Sequence, residues 1–125
     1  MGSNLLILGA GGHGRVVKET AVAVGKFDEI DFLDDESDIS IGMCYDYQKF
    51  VSNYTYAFVA LGSNKLRMKW VVKLMEAGFK IPTLIDPTAY ISPSASIADG
   101  SIICAKTVIN NNVIMEKGCI VRYVH

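Results

Sequence analysis

Three groups of residues in this 125-residue chain have types and spacings suited to holding a phosphorylated, hydroxyl-rich ligand. The first is the run Gly-Ala-Gly-Gly-His-Gly-Arg at residues 9–15. Gly9, Gly11 and Gly14 permit a tight turn and let the backbone approach a phosphate. The N–H groups and partial positive charge of a helix start would then hold that phosphate. The competing reading is a purely structural strand-to-helix turn. Within the run, Gly12 and Arg15 belong to the same candidate site. His13 can donate to a phosphate or sugar oxygen, or face solvent as an ordinary loop residue. The second group is Asp34 and Asp35. Carboxylates accept well from vicinal ribose hydroxyls or from a base N–H, and a solvated turn is the alternative. The third is Gly62, Ser63 and Asn64 with Arg67 one turn later. Arg67 can reach a phosphate or remain a surface charge.

These groups need a scaffold that brings them to one edge. Residues 4–8 form a short apolar run that reads as a buried parallel strand. A helix over 15–24 follows, with Gly25 as its C-cap. Residues 29–33 read as a second strand, 37–44 as a loop and 45–52 as a short helix. A third strand is predicted over 56–60. Ser63 or Asn64 can cap a helix over 65–77, which Gly78 ends. Residues 80–85 read as a fourth strand, with Pro82 moving it toward a sheet edge. Strand alternating with helix implies a parallel sheet with right-handed crossovers. All three candidate groups then fall at the carboxyl edge, where open α/β sheets bind ligands.

The last third of the chain has a different rhythm. Ile91, Ile97, Ile103, Ile109, Met115 and Val121 recur at every sixth position, and the residue before each later one is aliphatic as well. Small side chains precede these pairs, as at Ser101 and Thr107. Neither a helix nor an ordinary strand has a period of six. A parallel β-helix of hexapeptides does, each hexad making one flat side. The expected class is therefore α/β: a small Rossmann-like parallel-sheet domain over residues 1–87, then the start of a left-handed parallel β-helix over 88–125.

Composition narrows the partners. Half the residues are hydrophobic and the net charge is −1, so nucleic acid and anionic membrane are not expected as partners. No apolar run is long enough for a membrane span. Cys44, Cys104 and Cys119 lack metal-ligand spacing, and no metal is expected. They read as buried reduced thiols of a cytoplasmic protein.

Four motifs in order carry a family resemblance over residues 4–120. They are the glycine run 9–15, Phe-Leu-Asp-Asp at 32–35, Ala-Leu-Gly-Ser-Asn-Lys-Leu-Arg at 60–67 and Thr-Leu-Ile-Asp-Pro-Thr-Ala at 83–89. Together they resemble the bacterial sugar O- and N-acyltransferases of the hexapeptide-repeat class. That class includes sialic acid O-acetyltransferases and the N-acetyltransferases of UDP-4-amino sugars. The resemblance implies acetyl transfer from acetyl-CoA to an amino or hydroxyl group of a nucleotide sugar, UDP-linked in the expected case. It implies that the glycine loop, with Gly9, Gly11, Gly12, His13, Gly14 and Arg15, and the acids Asp34 and Asp35 contact the nucleotide part of the acceptor, while Gly62, Asn64 and Arg67 stay candidates from their place at the same edge. It further implies a β-helix that assembles as a trimer, binds the acyl donor between coils and carries a histidine general base.

The end of the chain departs from that pattern. Arg122-Tyr-Val-His125 stands where the family continues its hexads, and His125 falls about four residues before the catalytic position. The sequence therefore predicts a chain cut short within the β-helix and inactive alone, with the general base beyond residue 125. A dimer or an ill-defined assembly is expected in place of the trimer. The alternative is a non-catalytic module that binds a nucleotide or nucleotide sugar.

Overall fold

The computed structural model describes residues 3–115 together with 120 and 121. In chain order the elements are β1 (Leu5–Leu8), α1 (Gly12–Val24), β2 (Ile30–Leu33), a 3-10 helix (Cys44–Phe50), β3 (Tyr56–Val59) and α2 (Asn64–Ala77). Two-residue strands follow: β4 (Leu84–Ile85), β5 (Tyr90–Ile91), β6 (Ser96–Ile97), β7 (Ile102–Ile103), β8 (Val108–Ile109), β9 (Ile114–Met115) and β10 (Ile120–Val121).

The first sheet has the order β2-β1-β3 and is parallel throughout, with Leu5 opposite Ile30 and Tyr56. Every β1 side chain is buried, as an all-apolar central strand requires when both faces are covered. Strand alternation then divides the core. Leu5 and Ile7 join Val17 and Ala21 of α1, together with Phe32 and Phe58. Leu6 and Leu8 join Trp70 and Leu74 of α2, together with Leu33, Val59 and Phe79. Each helix ends where expected. Gly25 and Gly78 take left-handed conformations and return their N–H groups to the last turns. Of the two candidate caps for α2, Ser63 takes the role and accepts the Leu66 N–H at 3.2 Å.

The predicted fourth strand does not join this sheet as a strand. Lys80 makes a single bridge to Tyr56 beside β3. Pro82, which has no N–H to give a ladder, then follows, and the chain leaves the edge. Leu84 and Ile85 pair instead with Ile102 and Ile103. The expected division after residue 87 therefore falls behind the first repeat strand, and the sixfold repeat begins one unit earlier than the hexads suggested.

From β4 onward each strand pairs in parallel with the strand 18 residues away. Leu84 lies opposite Ile102, which lies opposite Ile120; Tyr90 lies opposite Val108; Ser96 lies opposite Ile114. Three separate small sheets result. Ile103 and Ile109 are buried between them, and Ser101 and Thr107 are fully buried where small residues were expected. The turns between strands need left-handed backbone at Gly100, Lys106 and Asn112, which stand six apart. Lys106 is an unfavourable residue there. Its N–H is received by Thr88 Oγ1 at 2.8 Å, and Ser94 Oγ receives that of Asn112 at 3.0 Å. Hydroxyls 18 residues earlier thus tie each turn to the one beside it.

Leu84, Ile102 and Cys104 complete the same cluster as Leu5, Ile7 and Val17. The face made by β4 and β7 is thereby sealed against the first domain, and Thr20 Oγ1 meets Cys104 Sγ at 3.9 Å across the seam. The other faces are open, with Ile114 78% exposed. Cys44 and Cys104 are buried thiols, while Cys119 lies outside the described residues. The contrast between Ile102 and Ile114 gives a direct test. Ile102→Ala should cost about 2–5 kcal/mol in denaturant unfolding through its lost burial and residual cavity. Ile114→Ala should change stability by less than about 0.5 kcal/mol.

Candidate functional site: the carboxyl edge of the first sheet

The glycine run divides into two pairs with different duties. Gly9 sits at φ +105°, and a Cβ there would stand 3.0 Å from the Ala60 carbonyl oxygen. Gly14 is tighter still, since a Cβ would stand 1.9 Å from the Gly9 carbonyl oxygen. These two positions let helix α1 press onto the end of β1. Gly11 and Gly12 are the opposite case, for a Cβ on either meets nothing within 4 Å. Gly11 is the N-cap of α1, with extended backbone, and Gly12 opens the helix. The helix thus starts three residues earlier than predicted, inside the glycine run. Its first turn is open on the side where a ligand would approach, and it carries no acidic side chain.

The loop is held from two directions. The Gly9 N–H donates to the Leu33 carbonyl at 2.8 Å. The Ala10 N–H donates to Asp34 Oδ2 at 2.7 Å, and the Glu36 and Ser37 N–H groups donate to Asp34 Oδ1. These bonds, the one from Ala10 foremost, hold the Asp34 carboxyl below its usual value of 3.8. Asp34 therefore joins the glycine run to the β2 loop, with both its oxygens engaged by backbone. Asp35 is exposed, and its Oδ1 accepts the Cys44 N–H at 3.0 Å. Burial pushes the Cys44 thiol up to about 11, helped by the charges of Asp35 and Asp34. It stays protonated and is no nucleophile at neutral pH.

Asp34, Asp35, Glu36, Cys44, Tyr45, Leu61, Leu66 and Trp70 surround a cleft of about 390 Å³ at this edge. Pockets of roughly 300–1,000 Å³ suit small ligands. The sequence placed Asp34 and Asp35 here but missed the wall of Tyr45, Leu61, Leu66 and Trp70. Its one legible signal was the single tryptophan of the chain, about two turns into the helix that follows the third candidate group.

The remaining candidates are distributed unevenly. Gly62, Ser63 and Asn64 form the turn after β3 at the same edge. Arg67 folds back on that turn, donating to the Gly62 carbonyl at 3.3 Å and to Asn64 Oδ1. It braces the turn. His13 is half-buried in the first turn of α1. Arg15 lines a separate depression with Lys18, Glu19, Val22, Phe32 and Ile39, so its side chain is not brought into the cleft. A second groove, lined by Met68, Val71, Met75, Phe79 and Ile81, lies between α2 and the Gly100 turn. Among the described residues no cluster of His, Cys, Asp and Glu is placed to hold a metal ion. No helix among them is long and apolar enough to cross a membrane.

A parallel α/β domain fused through a shared core to stacked two-residue strands of a six-residue repeat defines the class of this chain. Residues 4–74 match the family described as the PglD N-terminal domain, and the chain belongs to that family. Its structure is similar to the acetyltransferase domain of PglB from Neisseria gonorrhoeae FA1090 in complex with acetyl coenzyme A. The TM-score is 0.86 and the identity 36%, over 96% of this chain and 62% of that one. It is also similar to a mutant of perosamine N-acetyltransferase from Caulobacter crescentus in complex with CoA and GDP-perosamine. There the TM-score is 0.76 and the identity 28%, over 94% of this chain and 62% of that one. The chain thus spans less than two thirds of the length of these relatives.

Three substitutions test the loop. Gly14→Ala should cost about 3 kcal/mol, because the new methyl meets backbone. Gly11→Ala should cost under about 1 kcal/mol. Asp34→Asn should lower stability by about 1–2 kcal/mol at pH 7, since an amide accepts these N–H groups less well. A carboxylate depressed on folding stabilises above its unfolded value and loses that effect as pH falls through the folded one. The gap between wild type and Asp34→Asn should therefore narrow below about pH 3.8 in denaturant unfolding.

Proposed function

We propose that this chain is the acceptor-binding part of an acetyltransferase that moves an acetyl group from acetyl-CoA to an amino or hydroxyl group of a nucleotide-linked sugar. The observation that carries the reading is its 36% identity, across 96% of its length, to an acetyltransferase domain crystallised with acetyl coenzyme A. The GDP-perosamine held by the second relative supports a nucleotide sugar as acceptor.

The geometry fits that chemistry. A diphosphate at the open side of Gly11 and Gly12 would meet the N–H groups of the first turn of α1 and the positive end of its dipole. The cleft beside it, joined to the glycine run through Asp34, would take the nucleoside. Gly9, Gly14, Asp34, Asn64 and Arg67 act in this reading by shaping the edge. Gly11, Gly12, His13, Asp35 and Gly62 are the residues left to touch the acceptor.

The stacked strands from β4 onward are read as the first coils of a left-handed parallel β-helix, the element along which the family holds its acyl donor. Their 18-residue pairing in three sheets supports this. Tyr90, Val108 and Ile114 are exposed apolar residues on its outward faces. Covering them with a second copy of the chain is consistent with the family's homo-oligomers.

Gly11→Val tests the loop assignment, because the added side chain enters open space and leaves the fold alone. Titration calorimetry with UDP- and GDP-sugars should show affinity lowered at least about tenfold, with the melting temperature lowered by only a few degrees. Unchanged affinity would remove the glycine run from the site.

A further inference from the structure

The groove between α2 and the Gly100 turn takes no part in the chemistry described so far, yet it is made like a binding site. Its volume is about 260 Å³. That is the share of roughly nine waters in the liquid, room for a ligand of about ten non-hydrogen atoms. Met68, Val71 and Met75 stand three and four residues apart along α2, so they share one face of the helix. Phe79 and Ile81 supply the rest of the apolar lining. Phe79 is buried and Met75 is half exposed. Concave apolar surface of this kind gains free energy when a ligand replaces its water. The two methionines can adapt to the shape of what enters.

Both sides of the groove are held in place. Gly78 ends α2 in a left-handed conformation and returns its N–H to the carbonyls of Leu74 and Met75. Across the groove Gly100 sits at φ +82°, and its N–H donates to Thr83 Oγ1 at 3.1 Å. A Cβ on Gly100 would stand 3.3 Å from Ile81 Cγ2. The turn therefore lies close against the apolar lining. The groove shares no lining residue with the cleft at the carboxyl edge.

Two charges of opposite sign complete the lining, Lys80 and Asp99. Both side chains are exposed, and among the described residues neither belongs to an ion pair. An ammonium and a carboxylate at one apolar groove complement a ligand that carries both charges beside an apolar group. A simple acid would satisfy Lys80 and be repelled by Asp99, and a simple amine would meet the reverse. An uncharged apolar molecule would use neither. The head group of an α-amino acid, with carboxylate and ammonium on one carbon, meets both.

We infer that this groove binds a free apolar α-amino acid of about the size of leucine, methionine or phenylalanine. The side chain lies against Met68, Val71, Met75 and Ile81, Lys80 donates to the carboxylate, and Asp99 accepts from the ammonium. The inference does not rest on the nucleotide-sugar reading.

The experiment is an NMR titration of the full chain with L-leucine, L-methionine and L-phenylalanine, followed through the backbone amides. At least one should bind with Kd below about 1 mM and shift the amides of α2 and the Gly100 turn. For leucine, loss of the ammonium in 4-methylpentanoate or of the carboxylate in 3-methylbutylamine should each weaken binding about tenfold or more. Glycine, with no side chain, should not bind at the same concentrations. Asp99→Asn should weaken leucine at least about tenfold and leave 4-methylpentanoate as it was or tighter. Lys80→Gln should weaken leucine and 4-methylpentanoate and spare 3-methylbutylamine. A general loss of structure would not produce that crossed pattern. Met75→Trp, which fills the groove from an exposed position, should abolish binding. Absence of saturable binding by all three amino acids up to about 10 mM would overturn the inference. So would analogues that bind as tightly as leucine, or affinities that Asp99→Asn, Lys80→Gln and Met75→Trp leave unchanged.

Discussion

The bond from the Ala10 N–H to the Asp34 carboxylate is the constraint on which the carboxyl edge of the first sheet depends. A glycine-rich turn has many conformations and little to hold it in one. Here the turn is tied on one side by the Leu33 carbonyl and on the other by Asp34, which also organises the next loop through Glu36 and Ser37. Two flexible connections become one rigid rim. The order of strands makes this possible, because β1 lies at the centre and β2 at its flank. An acid at the end of a flanking strand then has only a short distance to span.

Much of this was legible in the residues themselves. The apolar run of β1, the capped helices and the glycine spacing follow from local rules of burial and capping, and all appear in the fold. The sixfold period was equally plain, because each repeat carries an aliphatic residue at the same position. The errors came where a residue had two competing uses. Residues 80–85 look like a strand, and two of them are one, but their partner is 18 residues ahead. Pattern alone cannot choose between two sheets that both offer a parallel edge. Asp34 and Arg67 are a different matter, since carboxylate and guanidinium serve structure and binding alike. Only the geometry shows that Asp34 takes backbone N–H groups and that Arg67 braces the turn at Gly62 and Asn64.

What the residues did not announce was long-range pairing between small polar groups and turns. Thr88 with Lys106, and Ser94 with Asn112, are ordinary residues in sequence and become partners only when the coil period is known. The aromatic wall of the cleft is similar. Tyr45 belongs to a short 3-10 helix and Trp70 to α2. Nothing local relates them until the 3-10 helix packs beside β2 and α2 beside β3.

The seam between the first sheet and the repeat has a consequence for how such chains can be rebuilt. Leu84, Ile102 and Cys104 are buried in the same cluster as Leu5, Ile7, Val17 and Phe58. The two architectures are therefore one unit of interior, although their chain rhythms differ. A chimaera joined at the obvious loop near residue 87 would bring the Leu84 strand from one parent and its Ile102 partner from the other. The first domain can be exchanged between relatives only if the graft carries this strip of coil along with the sheet that rests on it.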